Sequence, residues 1–411
     1  MGDVESLFVF LAGVNMKEIK YLGYYDTGEN ARQDRGYAVS ATDKMSYICS
    51  VLNRAGWDVE IVSASNTQKR ENYPGKRVRV LEGTWLRLFA TIGRGGTVRG
   101  ALRIMVMQLQ VFLYLFCHTR RGEPVLAYHA LGYARLLRVL KKLKGFRLIL
   151  EVEEIYADVI GDERVRKREM KLFEAADAYI FSTELLDKRL NPRHKPSSIV
   201  HGDYRVGPDR EKSCDGKIHC VYAGTFDPRK GVGRAVEAAA FLPPHYHVHI
   251  LGAGSVEEEK RLREQIEAVA RQGGASVTWE GLLHGEAYLS LIQRCQVGLS
   301  PQMPDAAFSG TSFPSKVLSY LANGLRVVSI RMGTLECSAI SDLLYYYDTD
   351  APQALAKAVR EVDVSASYDS RTRVRELDER FCRDLKDLLK ELTRYDRTTA
   401  KESFGAAGRE G

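Results

Sequence analysis

Residues 296–330 read QVGLSPQMPDAAFSGTSFPSKVLSYLANGLRVVSI. Val297 and Leu299 lie in one short apolar run, and β-branched Val327 and Val328 in a second over 326–330; both read as strands. Between them Val317, Leu318 and Leu321 recur at helical spacing over 313–322. Pro314 suits the first turn of that helix and Gly324 its end. The unit is a strand, a loop carrying the hydroxyls Ser309, Thr311, Ser312 and Ser315, a helix and a strand. A helix start presents unpaired backbone N–H groups and a partial positive charge, a natural seat for a phosphate, and Lys316 adds a full charge there. Taken alone, the stretch reads more simply as a capped βαβ unit with no ligand. Its surroundings decide.

Working outward, residues 218–223, 247–251, 276–279 and 344–347 read as further strands, with helices over 231–241 and 257–271. Ahead of them strands are predicted at 19–25, 58–63, 126–129, 147–152, 179–182 and 198–200, with a helix over 38–52. Strand and helix alternating at this spacing is the pattern of a parallel sheet covered on both faces. Residues 204–217 turn polar and read as a linker. The expected architecture is α/β, two Rossmann-like domains in tandem: 1–210, 211–365, a helix over 366–397 and a loose tail over 398–411. Leu377, Phe381, Leu385, Leu388, Leu389 and Leu392 give the late helix one apolar face.

Composition agrees with two soluble globular domains: 411 residues, 45% hydrophobic and 27% charged. The seven cysteines are odd in number, scattered and without a CxxC, which predicts a reducing compartment and no zinc site. The first fifteen residues lack a basic front and a cleavage pattern, so no signal peptide is expected. The longest apolar stretch, 101–117, is broken by Arg103, Gln108 and Gln110 and falls short of the roughly 20 residues of a membrane span. It is expected to be a buried helix, with interfacial contact as the lesser reading. Net charge is +7, but residues 51–150 hold 18 Lys and Arg against 5 Asp and Glu. That face could be merely solvated, or could meet anionic lipid or an acidic substrate. Aromatic residues are not interleaved with it in an RNA-binding signature, which sets nucleic acid aside.

Ligands of open α/β folds sit at the carboxyl ends of the strands, so the loops there carry the candidate chemistry. Residues 224–231, GTFDPRKG, combine a small entry, a turn at Asp227-Pro228 and the cations Arg229 and Lys230 just before a helix. Gly252-Ala253-Gly254 follows the next strand and Trp279-Glu280-Gly281 the one after. In the first half, Tyr128-His129 and the carboxylates Glu151, Glu153 and Glu154 end strands, and Asn30 and Arg32 follow the first. Each motif alone is weak: a surface turn, a charged helix start and a hydrogen-bonded strand-end histidine explain them too.

Their order is not weak. Gly224…Lys230-Gly231, Gly252-Ala253-Gly254, Trp279-Glu280-Gly281 and Pro301…Phe313-Pro314-Ser315-Lys316…Tyr320-Leu321-Ala322-Asn323-Gly324…Val327-Val328-Ser329 together resemble the C-terminal half of GT-B glycosyltransferases, specifically glycosyltransferase family 4. The resemblance implies a retaining, hexosyltransferase-type enzyme with two Rossmann-like domains facing across a cleft. The final helix would return toward the first domain. A nucleotide-diphosphate sugar would be bound by Gly224, Thr225, Arg229, Lys230, Gly252, Gly254, Gly281, Thr311, Ser312, Phe313, Pro314, Ser315, Lys316 and Ser319. Lys230, Glu153 and Glu154 would serve catalysis, and Asn30, Arg32 and His129 the acceptor side. Neither a cofactor nor a metal would be needed; Asp348-Thr349-Asp350, the one DxD string, lies too late in the second half. The chain departs from the family pattern at Thr225, where an arginine is frequent, and at Thr311 and Ser319, where two glutamates are usual. Hydroxyls there can hold a ribose or phosphate without charge assistance. The expectation is a cytoplasmic enzyme, peripheral at the inner face of the membrane, that extends a glycan or lipid-linked acceptor in polysaccharide biosynthesis. An epimerase or hydrolase on the same fold, or an inactive binding or scaffolding protein, stay open beside it.

Overall fold

The computed structural model of the chain describes residues 17–27, 32–303 and 310–406, with side chains to Thr393. Its first half carries β1 (Lys17–Gly23), β2 (Trp57–Ser63), β3 (Lys76–Leu81), β4 (Thr84–Leu88), β5 (Pro124–Tyr128), β6 (Arg147–Val152), β7 (Ala178–Phe181) and β8 (Ser197–Ile199). They form one sheet in the order β3-β4-β2-β1-β5-β6-β7-β8. The second half carries β9 (Ile218–Ala223), β10 (Tyr246–Leu251), β11 (Ser276–Gly281), β12 (Val297–Ser300), β13 (Arg326–Ile330) and β14 (Leu344–Tyr347), ordered β11-β10-β9-β12-β13-β14. Pairing is parallel throughout, apart from the antiparallel β3 and β4.

Helices cover both faces, which is why the central strands are continuously apolar. Leu148, Ile149 and Leu150 in β6, and Cys220, Val221 and Tyr222 in β9, are fully enclosed. The order reverses between β1 and β5 and again between β9 and β12. Those two switch points open crevices at the strand carboxyl ends. The final helix, Ser370–Ala406, brings the halves together. Asp378 accepts from Tyr47 at 2.7 Å and from both ends of the Arg54 guanidinium, and Phe381 stacks on Tyr47 at 6.0 Å. Both partners lie on the helix Val39–Arg54 of the first half.

Three expectations change. The edge hairpin β3–β4 was not foreseen, because Lys76, Arg77 and Arg79 give an edge strand too charged to read as core; charge of that kind guards exposed edges. The apolar stretch expected to be buried belongs to the 22-residue helix Thr97–His118, of which only Met107, Val111, Tyr114 and Leu115 are buried. Its outer face is as apolar as its inner one, so periodicity could not separate them. Finally, the last helix continues through 398–406 instead of loosening at Thr398.

Candidate functional site

The second crevice is built from glycine loops packed backbone to backbone. Gly224 N–H donates to Leu251 at 3.0 Å, Phe226 N–H to Ala253 at 3.2 Å and Gly252 N–H to Gly281 at 2.9 Å. Gly252 has φ +136°, and a Cβ there would lie 1.9 Å from the Gly224 carbonyl oxygen. At Gly231, φ is +84° and a Cβ would meet the Pro301 carbonyl oxygen at 1.8 Å. Only glycine permits either approach. Gly281 turns with φ +76°, and Trp279 ties the loops by donating to the Gly252 carbonyl at 3.1 Å. Gly254, between Phe226 and Glu258, sits at the rim.

Two ammonium groups converge on this frame. Residues 228–230 form a short 3-10 turn that presents Lys230, partly buried. Lys316 reaches up from the helix Ser315–Ala322: its Nζ lies 3.4 Å from the Lys230 carbonyl oxygen, 3.8 Å from the Tyr222 ring centroid, and 3.4 Å from where a Gly224 Cβ would be. Burial, with Lys230 nearby, brings the Lys316 amine down to about 7. Lys230 is lowered as well, by burial, with Asp227 and Glu154 opposing the shift. No side chain caps the helix start at Pro314, so its leading N–H groups add to the same positive field. The site is electropositive and suits an anion with several oxygens.

The first half faces it with Glu154. Burial raises this half-buried carboxyl, and Lys230 across the crevice pulls it back down. Tyr156 lies close to Glu154 and to Tyr128, both tyrosines partly exposed at or just past the ends of β6 and β5. The sequence marked Tyr128 but missed Tyr156, although its place just past the Glu151–Glu154 strand end could have found it.

Several expected residues are occupied elsewhere. Glu153 pairs with Lys44 at 2.5 Å inside the first half. His129 is 1% exposed, between Tyr156 and Phe173, and burial takes its ring down to about 3. A neutral, enclosed imidazole does not line an acceptor cleft. Arg229 turns back on Asp227 at 2.7 Å. Phe313 stacks on His201 at 4.6 Å, and the Thr311 carbonyl accepts from Thr183 at 3.1 Å. Residues 311–313 therefore fasten the second half to the first, with Ser312 partly exposed beside them. Ser319 shares a 3.0 Å hydrogen bond with Tyr288, so its hydroxyl is already partnered within the second half. Thr225 and Ser315 are exposed on either side of the crevice. Arg32 is exposed and its carbonyl accepts from Lys69 at 2.8 Å; Asn30 lies outside the described residues.

Asp348 is bound by Arg331 at 2.6 Å and Asp350 by Arg234 at 3.0 Å. A cavity of about 270 Å³ behind the 228–230 turn is lined by the same Arg234 and Asp350, with Phe226, Glu237 and Glu258. Neither Lys230 nor Lys316 lines it. The set with metal-ligand spacing among the described residues is His247, His249 and Glu280. Its four ring nitrogens are already engaged: His249 by His219 and Glu280, His247 by Thr278 and Ser276. Burial lowers both rings, His247 down to about 4. Hydrogen bonding alone accounts for this cluster.

Residues 217–362 match the family model described as Glycosyl transferases group 1. No curated protein matches. Among solved structures, sucrose-phosphate synthase from Thermosynechococcus elongatus aligns at 14% identity and TM-score 0.60, over 95% of this chain and 100% of that one. The E. coli structure of trehalose-6-phosphate bound with UDP-2-fluoro glucose aligns at 11% and 0.62, over 92% and 98%. HepE from Anabaena, in complex with UDP, aligns at 10% and 0.57, over 94% and 100%. The fold is GT-B. The family match falls within its second half.

Proposed function

We propose that the chain transfers a sugar, with retention, from a nucleotide-diphosphate sugar to a glycan or lipid-linked acceptor in polysaccharide biosynthesis. The observation that carries this reading is the convergence of Lys230, Lys316 and an uncapped helix start on one crevice, with Glu154 facing it from the other half. UDP and UDP-2-fluoro glucose are bound by proteins of this fold, which makes UDP the first nucleotide to try. One such protein, trehalose-6-phosphate synthase, is described as transferring with retention.

Negative charge builds on the diphosphate as its bond to the anomeric carbon breaks. Lys230 and the N–H groups at Ser315 and Lys316 stabilise that charge more in the transition state than in the bound donor. The acceptor oxygen bonds to the anomeric carbon on the face the diphosphate leaves, and the acceptor proton passes to a departing phosphate oxygen. Glu154 orients the acceptor hydroxyl. The two lysines fill the charge-neutralising role that a metal takes elsewhere, so the reaction is metal-independent, and the protein works in the cytoplasm.

The test is an assay of nucleoside diphosphate release from UDP-, GDP- and ADP-sugars, with and without a lipid-linked acceptor extract. Release that needs acceptor and survives a chelator supports transfer. Release without acceptor makes the protein a hydrolase; interconversion of the donor sugar makes it an epimerase; neither release nor binding makes it a scaffold.

A further inference from the structure

The helix Thr97–His118 packs one side on the first sheet and leaves the other unpartnered. Val98, Leu102, Met105, Leu109, Leu113 and Phe116 follow one another at three- and four-residue steps, and each is exposed, from 39% at Phe116 to 85% at Val98. They form one unbroken stripe along the helix. Mean hydropathy over an 18-residue window is 1.6, with 22% of that window buried. The neighbouring helix, Ala134–Lys144, widens the patch with Val139 and Leu143, 42% and 60% exposed. Lys144 Nζ lies 4.7 Å from the Phe116 ring centroid, so apolar and cationic groups are interleaved. A patch of this kind on a water-soluble fold marks a contact surface.

Charge names the occupant. From residue 83 to 150 there are 12 Lys and Arg and one acid, Glu123. Arg94 and Arg99 stand at one end of the stripe and Arg120 and Arg121 at the other, all exposed. A protein partner would need an apolar ridge framed by carboxylates; an anionic bilayer supplies both features everywhere on its surface.

Spanning is excluded by the inner face. Arg103 donates to the Thr67 carbonyl at 2.8 Å, Gln108 to Gly132 at 2.8 Å, Gln110 to Ala90 at 2.9 Å, and Tyr114 to Glu60. Those ties run the length of the helix and hold it sideways on the sheet. Thr67 and Gly132 follow the carboxyl ends of β2 and β5, so the front of the stripe lies beside the first-half crevice.

We infer that the Thr97–His118 stripe, with its arginine frame, is a monotopic docking face for an anionic phospholipid surface. The helix lies in the headgroup layer and sets the mouth of the first-half crevice against the bilayer. This does not depend on the transfer reaction.

Flotation of the full chain tests it, with vesicles of phosphatidylglycerol and phosphatidylcholine in equal parts beside vesicles of phosphatidylcholine alone. The chain should float with the former and about tenfold less with the latter. Leu109→Ser with Leu113→Ser, and separately Arg120→Ala with Arg121→Ala, should each lower partition by about tenfold. Unfolding temperatures should hold, since these side chains are exposed, and Lys260→Ala in the second half should float like the parent. The inference is overturned by a chain that stays soluble with anionic vesicles, or by partition that neither pair reduces. It is equally overturned by a dimer that the two serines split, which would assign the stripe to a second copy.

Discussion

At the scale of single residues the account rests on two lysines and a carboxylate. Lys230→Ala should weaken UDP binding by about ten- to a hundredfold, the worth of one charge-assisted contact, with the unfolding temperature unchanged. Lys316 gives a pH signature. Its amine is depressed to about 7, so at pH 8 it is mostly neutral, and a bound diphosphate raises it toward its ordinary value. Binding at pH 8 should therefore take up protons, and affinity should fall as pH rises from 6.5 to about 8.5. Calorimetry in buffers of different ionisation enthalpy reads both effects, and Lys316→Ala should remove them. Glu154→Gln should lower turnover with little change in donor affinity. Glu153→Gln should instead weaken the fold, because Lys44 loses its partner. The sequence marked Glu153 and Glu154 at one strand end alike. Which of them faces the crevice depends on Lys44, more than a hundred residues earlier, and no local pattern holds that information.

At the scale of elements the glycine loops are the precise part. Gly231→Ala should cost about 2 kcal/mol or more in unfolding free energy, since it places a side chain at positive φ against the Pro301 carbonyl. Gly252→Ala should do the same against Gly224. Thermal unfolding measures both. These positions were legible, as were β6, β9, β12, β13 and β14 at their observed bounds, because strands buried on two faces announce themselves as apolar runs between turn residues. The helix Thr97–His118 shows where pattern fails. A long helix with apolar residues on both sides reads as core, and only its neighbours in space show that one side has none.

At the scale of the whole molecule the halves are joined by the 311–313 segment and by the final helix. Asp378 is the main polar tie. Burial alone would raise its carboxyl, but Arg54 and Tyr47 hold it below the usual range. A carboxylate lowered in the folded state stabilises above its unfolded pKa, and that stability is lost as pH falls through the folded value. Asp378→Ala should cost about 1–2 kcal/mol at pH 7, and the difference from the parent should shrink toward pH 3. The two-sheet plan could be read from alternation and the final helix from one apolar stripe, while its return to the first half was implied by the family resemblance. The meeting of the halves could not, since it runs through Thr183, His201 and Tyr47, residues that no motif singles out. The claim on which the rest depends is that this meeting leaves a diphosphate seat between Lys230 and the helix start at Ser315. Titration calorimetry of the full chain with UDP, GDP and ADP tests it most directly. The account predicts one-to-one binding of at least one of them, weakened about tenfold or more by Lys230→Ala. Absence of binding to all three, or binding that Lys230→Ala leaves untouched, would contradict it.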